Sequence, residues 1–421
     1  MSALDGIIKG IAEKYKMDGI ARVGVDNSRF ESTLSLGSPS LDFGTYNSIP
    51  EGIFIEIYGK ESSGKTTLAF LIASDFIRKE KKKISDTRKK NEEILTNYEQ
   101  AKAEALAKGK KAPAEPVVQD YKPRNILFVD AEGTADPIWA HTSTGYDMND
   151  PVVETLYLTP LGQTAEQIMD MVIEAVKSGE FGLVIFDSLV AIAPQQVANE
   201  SLEKKDMGTV AKVMADLVRR GTGLFNRFRT TFIGINGIYL DPSGYGNPEK
   251  TPGGEYWKRA CSLRLKVQRG EYFDEDGKEL TSKATSPAGH VIDVGIVKTK
   301  FCRHDRKQVK CHLNYRKGID ILQDTIDMAT HFGMIEKSGG WYTFINQETG
   351  EYLNDENGKQ IKLNGANNVK KYFNDHLDFW RQIYDEVYRK LSIKDDPTIM
   401  SFEQMLGINV EEKFGESFDG D

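Results

Sequence analysis

The residues with the clearest chemical potential stand in one run of eight, GKESSGKT (Gly59–Thr66). Its spacing fits GxxxxGK[ST], a loop whose backbone amides wrap phosphate groups, and it sits between the apolar run FIEIY and the amphipathic stretch TTLAFLIASDFI. A chance match to so short a pattern is not rare; a match seated between a buried strand and a helix is. Glycines at 59 and 64 let the backbone close on phosphate oxygens around Glu61, Ser62 and Ser63. The free amides of the helix start, with Thr67 in its first turn, offer donors and a positive dipole end to an anion. Lys65 would then lie against the terminal phosphates of a nucleotide, and the Thr66 hydroxyl would ligate Mg2+.

That metal needs an acid at the end of a neighbouring strand. GLVIFDS supplies Asp187, whose blander reading is a cap for the next helix. Hydrolysis also needs a carboxylate that orients water toward the terminal phosphate. NILFVDAE offers two, Asp130 and Glu132, and spacing alone does not rank them.

The elements that must hold these groups are visible as four short apolar runs, 54–59, 125–130, 182–187 and 230–236, each ending at a polar or glycine residue. Strands covered on both faces read this way, so the fold class is α/β, a mostly parallel sheet wrapped by helices. Leu4, Ile7, Ile8 and Ile11 predict one short amphipathic helix ending near 17–19. A chain of 421 residues has room for two to three domains. No apolar run approaches a membrane span, the first residues lack the features of a secretory signal, and three cysteines (Cys261, Cys302, Cys311) make no disulfide framework. The expectation is a cytoplasmic protein with no membrane partner.

A net charge of −8 argues at face value against nucleic acid, but the charge is segregated. Residues 78–124 hold fourteen Lys/Arg against eight Asp/Glu, a surplus of six, which leaves −14 for the rest. Ile94, Leu95, Tyr98, Ala101 and Ala105 form a weak helical stripe there, predicting a protruding helix or helical hairpin inserted into the core. The last eleven residues, with five acids and one lysine, read as an acidic tail.

These motifs, in this order, resemble the bacterial RecA recombinases over roughly residues 34–345, with weaker similarity to the end. The likeness is carried by LSLGSPSLDFG (34–44), IEIYGKESSGKTT (55–67), FVDAEGTADPIWA (128–140), VIFDSLVAIAP (184–194), GNPEKTPGG (246–254), VKTK (297–300) and GMIEKSGGWY (333–342). The resemblance implies a RecA-type P-loop ATPase core with a small α+β C-terminal domain. It implies an ATP- and Mg2+-dependent recombinase that forms a helical filament on single-stranded DNA, engages double-stranded DNA and exchanges strands in recombination, repair and the SOS response. A single-strand-binding or loader protein is a candidate partner. A ring-forming helicase or motor, and a single-strand coating protein with weak ATP coupling, are the alternatives.

Carried over by position, Glu132 matches the family's catalytic carboxylate, Asp136 and Trp139 its adenine-side residues (with tryptophan in place of tyrosine), and Tyr315 a second aromatic near the base. Lys298 and Lys300 match a pair that the family projects into the neighbouring subunit's ATP site, making the site a shared one. Two segments match mobile DNA-binding loops: 195–207, with Lys204, Lys205 and Met207, and 237–251, with Tyr239 and Tyr245. Gly253 and Gly254 follow the second. Lys212 and Arg219, seven apart on the next helix, share a face that follows a DNA backbone.

One departure stands out. The family places a glutamine after the strand-end asparagine to couple ATP to the second loop; here Asn236 is followed by Gly237, so Asn236 or another residue must couple. With the insertion, this marks a divergent branch of the kind a phage encodes. Cys302, His304, Cys311 and His312 are rejected as a zinc site, because adjacent strand residues point to opposite faces. The organisation expected is an N-terminal polymerisation helix and linker (1–33), an ATPase core (34–323) with the insertion 78–124, a C-terminal α+β domain (324–410) and the tail (411–421).

Overall fold

Each of the four apolar runs forms a strand, and its alternate residues enter two different cores. The computed structural model describes residues 3–15, 33–192, 207–240, 249–281 and 283–392. Its strands are, in chain order, β1 (Thr33–Leu34), β2 (Ile49–Pro50), β3 (Phe54–Gly59), β4 (Asn125–Asp130), β5 (Thr155–Leu158), β6 (Phe181–Asp187), β7 (Thr231–Asn236), β8 (Tyr239–Leu240) and β9 (Glu249–Lys250). Then come β10 (Leu263–Phe273), β11 (Glu279–Leu280), β12 (Gly289–Thr299), β13 (Gln308–Asn314), β14 (Gly318–Ile319), β15 (Ile335–Ser338), β16 (Trp341–Phe344) and β17 (Lys362–Asn364).

The main sheet runs β14–β13–β12–β10–β3–β7–β6–β4–β5, with β11 on the far end of β10. From β10 to β5 the neighbours are parallel, and β10, β12, β13 and β14 are antiparallel. Because β3, β4, β6 and β7 point the same way, Gly59, Asp130, Asp187 and Asn236 reach one edge of the sheet, where such folds place ligands. Ile55, Ile57, Phe128 and Ile185 face the buried turns of the helix Lys65–Ala107. Phe54, Leu127, Val184 and Phe232 face the helices Ala165–Lys177 and Met207–Phe228. Burying one such side chain contributes about 1.5–3 kcal/mol, so the alternation fixes the register as well as the core.

The charged insertion is not a separate unit. The phosphate-loop helix continues through it as one helix of 43 residues, Lys65–Ala107, and the chain returns over 108–124 without helix. Of the two forms expected, a protruding helix or a helical hairpin, the structure has the protruding helix, with an irregular return; no glycine or proline lies between Lys65 and Ala107 to stop it. A buried ion cluster clamps its base: Arg124 bonds Glu51 at 2.9 Å and Glu80 at 2.9 Å, and the Tyr121 hydroxyl donates to Glu80 at 2.6 Å. Asn91 and the Gln119 backbone exchange two hydrogen bonds further out.

The helix Ala3–Tyr15 lies where the first apolar spacing predicts one. The strands β15–β17 and the helices Ile321–His331, Ala366–Asp375 and Leu377–Leu391 enclose a third core around Phe344 and Phe373. It meets the helix Pro39–Thr45, where the N-cap Ser38 donates to buried Asp324 and the Tyr388 hydroxyl donates to Asp42 at 2.9 Å. No helix among the described residues is long and apolar enough to cross a membrane. The linker residues 16–32 and the acidic tail 411–421 lie outside the described residues.

Candidate functional site

The phosphate loop is built by exclusion of side chains. A first side-chain carbon on Gly59 would stand 2.1 Å from the Val267 carbonyl oxygen and 2.8 Å from Ser63 Oγ, so only glycine lets β3 turn here against β10. Gly64, at the helix N-terminus, takes a left-handed φ of 95°, and Ser62 one of 55°. Glu61 and Ser62 are exposed, while Ser63 and Thr67 are buried. The Ser63 hydroxyl has no hydrogen-bond partner among the described residues.

Lys65 Nζ donates to the Lys60 carbonyl at 2.8 Å, folded over its own loop. Burial lowers its pKa, against the pull of Asp187, Glu132 and Glu61. One helical residue on, Thr66 Oγ1 donates to Asp187 at 2.7 Å. Burial pushes the Asp187 carboxyl up to about 6; the Thr66 hydrogen bond opposes this, and Glu132 and Asp130 add to it. A hydroxyl and a buried carboxylate whose charge is disfavoured by two neighbouring acids form an oxygen donor set that suits a hard divalent cation, so Thr66 and Asp187 fit Mg2+. That ion would neutralise the phosphates and the acids together.

Asp130 and Glu132 differ in what occupies them. Asp130 accepts the amides of Gly133 at 2.8 Å, Thr134 at 3.3 Å and Ala135 at 3.0 Å, and the Tyr157 hydroxyl. Its oxygens are spent on folding the loop. Glu132 is exposed on that loop and accepts the Ser188 hydroxyl, while the Asp187 carbonyl accepts the Ala131 amide at 2.6 Å beneath it. Asp136 caps the helix Pro137–Thr144, accepting from Ile138 at 2.8 Å and Trp139 at 3.2 Å. Trp139 is half-buried against the core. The Tyr315 hydroxyl meets His290 Nδ1 at 2.9 Å, and the following turn abuts that helix, since a side chain on Gly318 would stand 2.4 Å from the Ser143 carbonyl.

Lys298 and Lys300 are placed elsewhere. Register sets Lys298 beside Arg264 and Arg264 beside Glu56, three residues or about 10 Å along the strand from Gly59, away from the phosphate edge. Both ammonium groups donate to the last carbonyls of the helix Gly254–Ala260: Lys298 to Lys258 at 2.6 Å and Arg259 at 2.9 Å, Lys300 to Arg259 at 2.8 Å. Here they cap a helix of their own chain.

Of the DNA-loop residues, Lys204, Lys205 and Tyr245 lie outside the described residues. Met207 opens its helix. Lys212 and Arg219 are exposed on one face of it, with the Arg219 guanidinium 5.3 Å from the Tyr256 ring centre. Tyr239 pairs with Lys250, so the second loop stands on a short two-stranded base. Gly253 and Gly254 take positive φ at the start of the next helix, and a side chain on Gly254 would meet Ala211 at 2.8 Å.

Asn236 is fully buried; its amide donates to Glu56 at 2.9 Å and to the Pro252 carbonyl at 3.0 Å. Glu56 in turn binds Arg264 at 2.5 Å. Sequence reasoning missed this network, although a glutamate inside the apolar run FIEIY was a signal for it. The four rejected zinc candidates go separate ways: Cys302 to Thr299, His304 to the Ile296 carbonyl, Cys311 into the core, His312 to Asp324.

The family model of the RecA N-terminal domain matches residues 2–87 and 109–320, and that of the RecA C-terminal domain residues 323–392. The break at 88–108 falls in the helical arm. Protein RecA of Lactobacillus acidophilus is 27% identical over 397 residues, 94% of this chain and 89% of its own. Protein RecA of Listeria monocytogenes is 28% identical over 393 residues, 93% of this chain and 91% of its own. Among solved structures, the RadB recombinase superposes with a TM-score of 0.41 and 16% identity over 68% of this chain and 98% of its own.

Proposed function

The chain belongs to the RecA family, and we propose that it is an ATP- and Mg2+-dependent recombinase that polymerises on single-stranded DNA and exchanges strands with homologous duplex. The observation that carries the reading is that one edge of the sheet holds both kinds of machinery. The phosphate loop, Asp187 and the Glu132 loop emerge there, and so do the roots of both proposed DNA loops, after β6 and after β7. A nucleotide at Lys65 thus lies beside the segments that would hold DNA.

In this reading Lys65 and Thr66 hold phosphate and metal, Glu132 orients the attacking water, Asp136, Trp139 and Tyr315 border the base, and Lys298 and Lys300 serve a neighbouring subunit. Lys204, Lys205, Lys212, Arg219, Tyr239 and Tyr245 face DNA. The chain divides into a polymerisation helix, the ATPase core with its arm, the C-terminal α+β unit and the tail, and it works in the cytoplasm. Electron micrographs with single-stranded DNA and ATP, read beside a strand-exchange assay, test it. Helical filaments with exchange are expected. Closed rings that unwind duplex would replace the reading by a motor, and coated strands without exchange by a coating protein.

A further inference from the structure

Tyr58, the last residue before the phosphate loop begins at Gly59, is flanked in the sheet by Asn236 of β7 and Lys266 of β10. Both flanking residues grip the second loop. Asn236 ends the strand that leads into it and holds Pro252 behind it. Lys266 Nζ donates to Glu249 Oε2 at 2.5 Å, and Glu249 lies on β9, the returning strand at the base of that loop. The two side chains are 26% and 23% exposed, sheltered enough for the pair to resist screening by salt.

A cleft of about 250 Å3 runs between the two structures. Lys60, Glu61 and Ser63 of the phosphate loop form one wall, Ile238 and Glu249 of the second loop's base the other, and Lys266 and Val267 part of the floor. The Ser63 hydroxyl on that wall is buried and unpartnered among the described residues. The loop and the floor are in direct contact, because a first side-chain carbon on Gly59 would stand 2.1 Å from the Val267 carbonyl oxygen. Gly237, at the root of the outgoing strand, has no side chain to span the cleft, although a first carbon there would meet Val190 at an ordinary 3.5 Å.

We infer that the Glu249–Lys266 ion pair is the positioning device that couples the nucleotide site to the second DNA loop in this chain. A shift of the phosphate loop on nucleotide binding moves β10 at Lys266, and the ion pair carries that shift to β9 and the loop above it. The inference deepens the ATP-and-DNA reading and rests on it.

The test uses the full chain and four variants: Lys266→Ala, Lys266→Arg, the exchange Lys266→Glu with Glu249→Lys, and Lys65→Ala as the control on the nucleotide site. Two ratios are read: hydrolysis with over without single-stranded DNA, and DNA affinity with over without a non-hydrolysable ATP analogue. Couplings of this kind usually run about 5- to 150-fold. Lys266→Ala is expected to keep basal hydrolysis and nucleotide affinity while both ratios fall toward one; Lys266→Arg and the exchanged pair restore them. Wild-type ratios in Lys266→Ala overturn the coupling. Loss of basal hydrolysis in Lys266→Ala, or an exchanged pair that recovers nothing, also overturns it by showing a merely structural role. Hydrolysis that survives Lys65→Ala, or a wild-type chain indifferent to DNA, instead overturns the reading on which it rests.

Discussion

Two carboxylates stand two residues apart at the end of β4, and what each one binds separates their tasks. Asp130 receives three backbone amides and a tyrosine hydroxyl, so its charge is consumed in holding the loop. Glu132, exposed and facing Ser188, has an oxygen to spare for water. General-base assistance contributes about 10²- to 10⁴-fold. Glu132→Gln is therefore expected to lower DNA-stimulated ATP turnover at least about 100-fold with nucleotide affinity retained, whereas Asp130→Asn is expected to lower the melting temperature first. Near-normal turnover in purified Glu132→Gln would remove the assignment. The phosphate loop was legible in sequence because its strand, turn and helix are contiguous. Spacing did not rank the two acids, and only the resemblance pointed to Glu132, because their difference depends on Tyr157 and Ser188, 27 and 56 residues away. The Glu56–Asn236–Arg264 network is further still from view, its partners being 180 and 208 residues apart.

At the scale of elements, the helix Lys65–Ala107 does two jobs in one continuous rod. Its first turns hold the phosphate site and fill the core; its last turns leave the molecule as an exposed arm that the RecA family model passes over. The sequence announced a cationic insertion but not its continuity, since charge composition marks exposure and only the lack of a breaker marks a helix that goes on. Where arm and core meet, burial alone would raise the Glu80 carboxyl, yet Arg124, Lys83 and the Tyr121 hydroxyl outweigh it and hold it at about 2, against an ordinary 4.5. A carboxyl depressed on folding adds stability that is fully present above about pH 4.5 and drains away as pH falls toward 2. Melting curves between pH 6 and pH 3 should show that loss in the wild type and much less of it in Glu80→Gln. Arg124→Ala, which removes the guanidinium that bridges Glu80 and Glu51 and leaves Lys83 as the nearby cation, is expected to cost about 3–5 kcal/mol in urea unfolding at pH 7. A cost below 1 kcal/mol would show the cluster to be a bystander.

For the whole molecule, the decisive fact is that Lys298 and Lys300 sit at the end of the sheet away from their own phosphate loop, capping the helix Gly254–Ala260. Among the described residues, both ammonium groups are held by the carbonyls of Lys258 and Arg259 rather than by the phosphate loop. A head-to-tail assembly can close that distance, because a heterologous interface sets one end of each copy against the other end of the next. The lysines would then exchange carbonyl oxygens for phosphate oxygens, and ammonium groups at the terminal phosphate offset the charge developed in transfer. A purely intramolecular capping role makes a different prediction, and mixing separates the two. Lys298→Ala subunits keep an intact phosphate loop but lack the donated charge; Lys65→Ala subunits have a dead loop and intact lysines. Each alone is expected to be inactive. Mixed one to one on single-stranded DNA, about a quarter of the sites would pair a working loop with a donating neighbour, so activity should reappear at that level. A mixture as inactive as its two components would mean that the lysines act only within their own chain, and the shared ATP site would be lost with it.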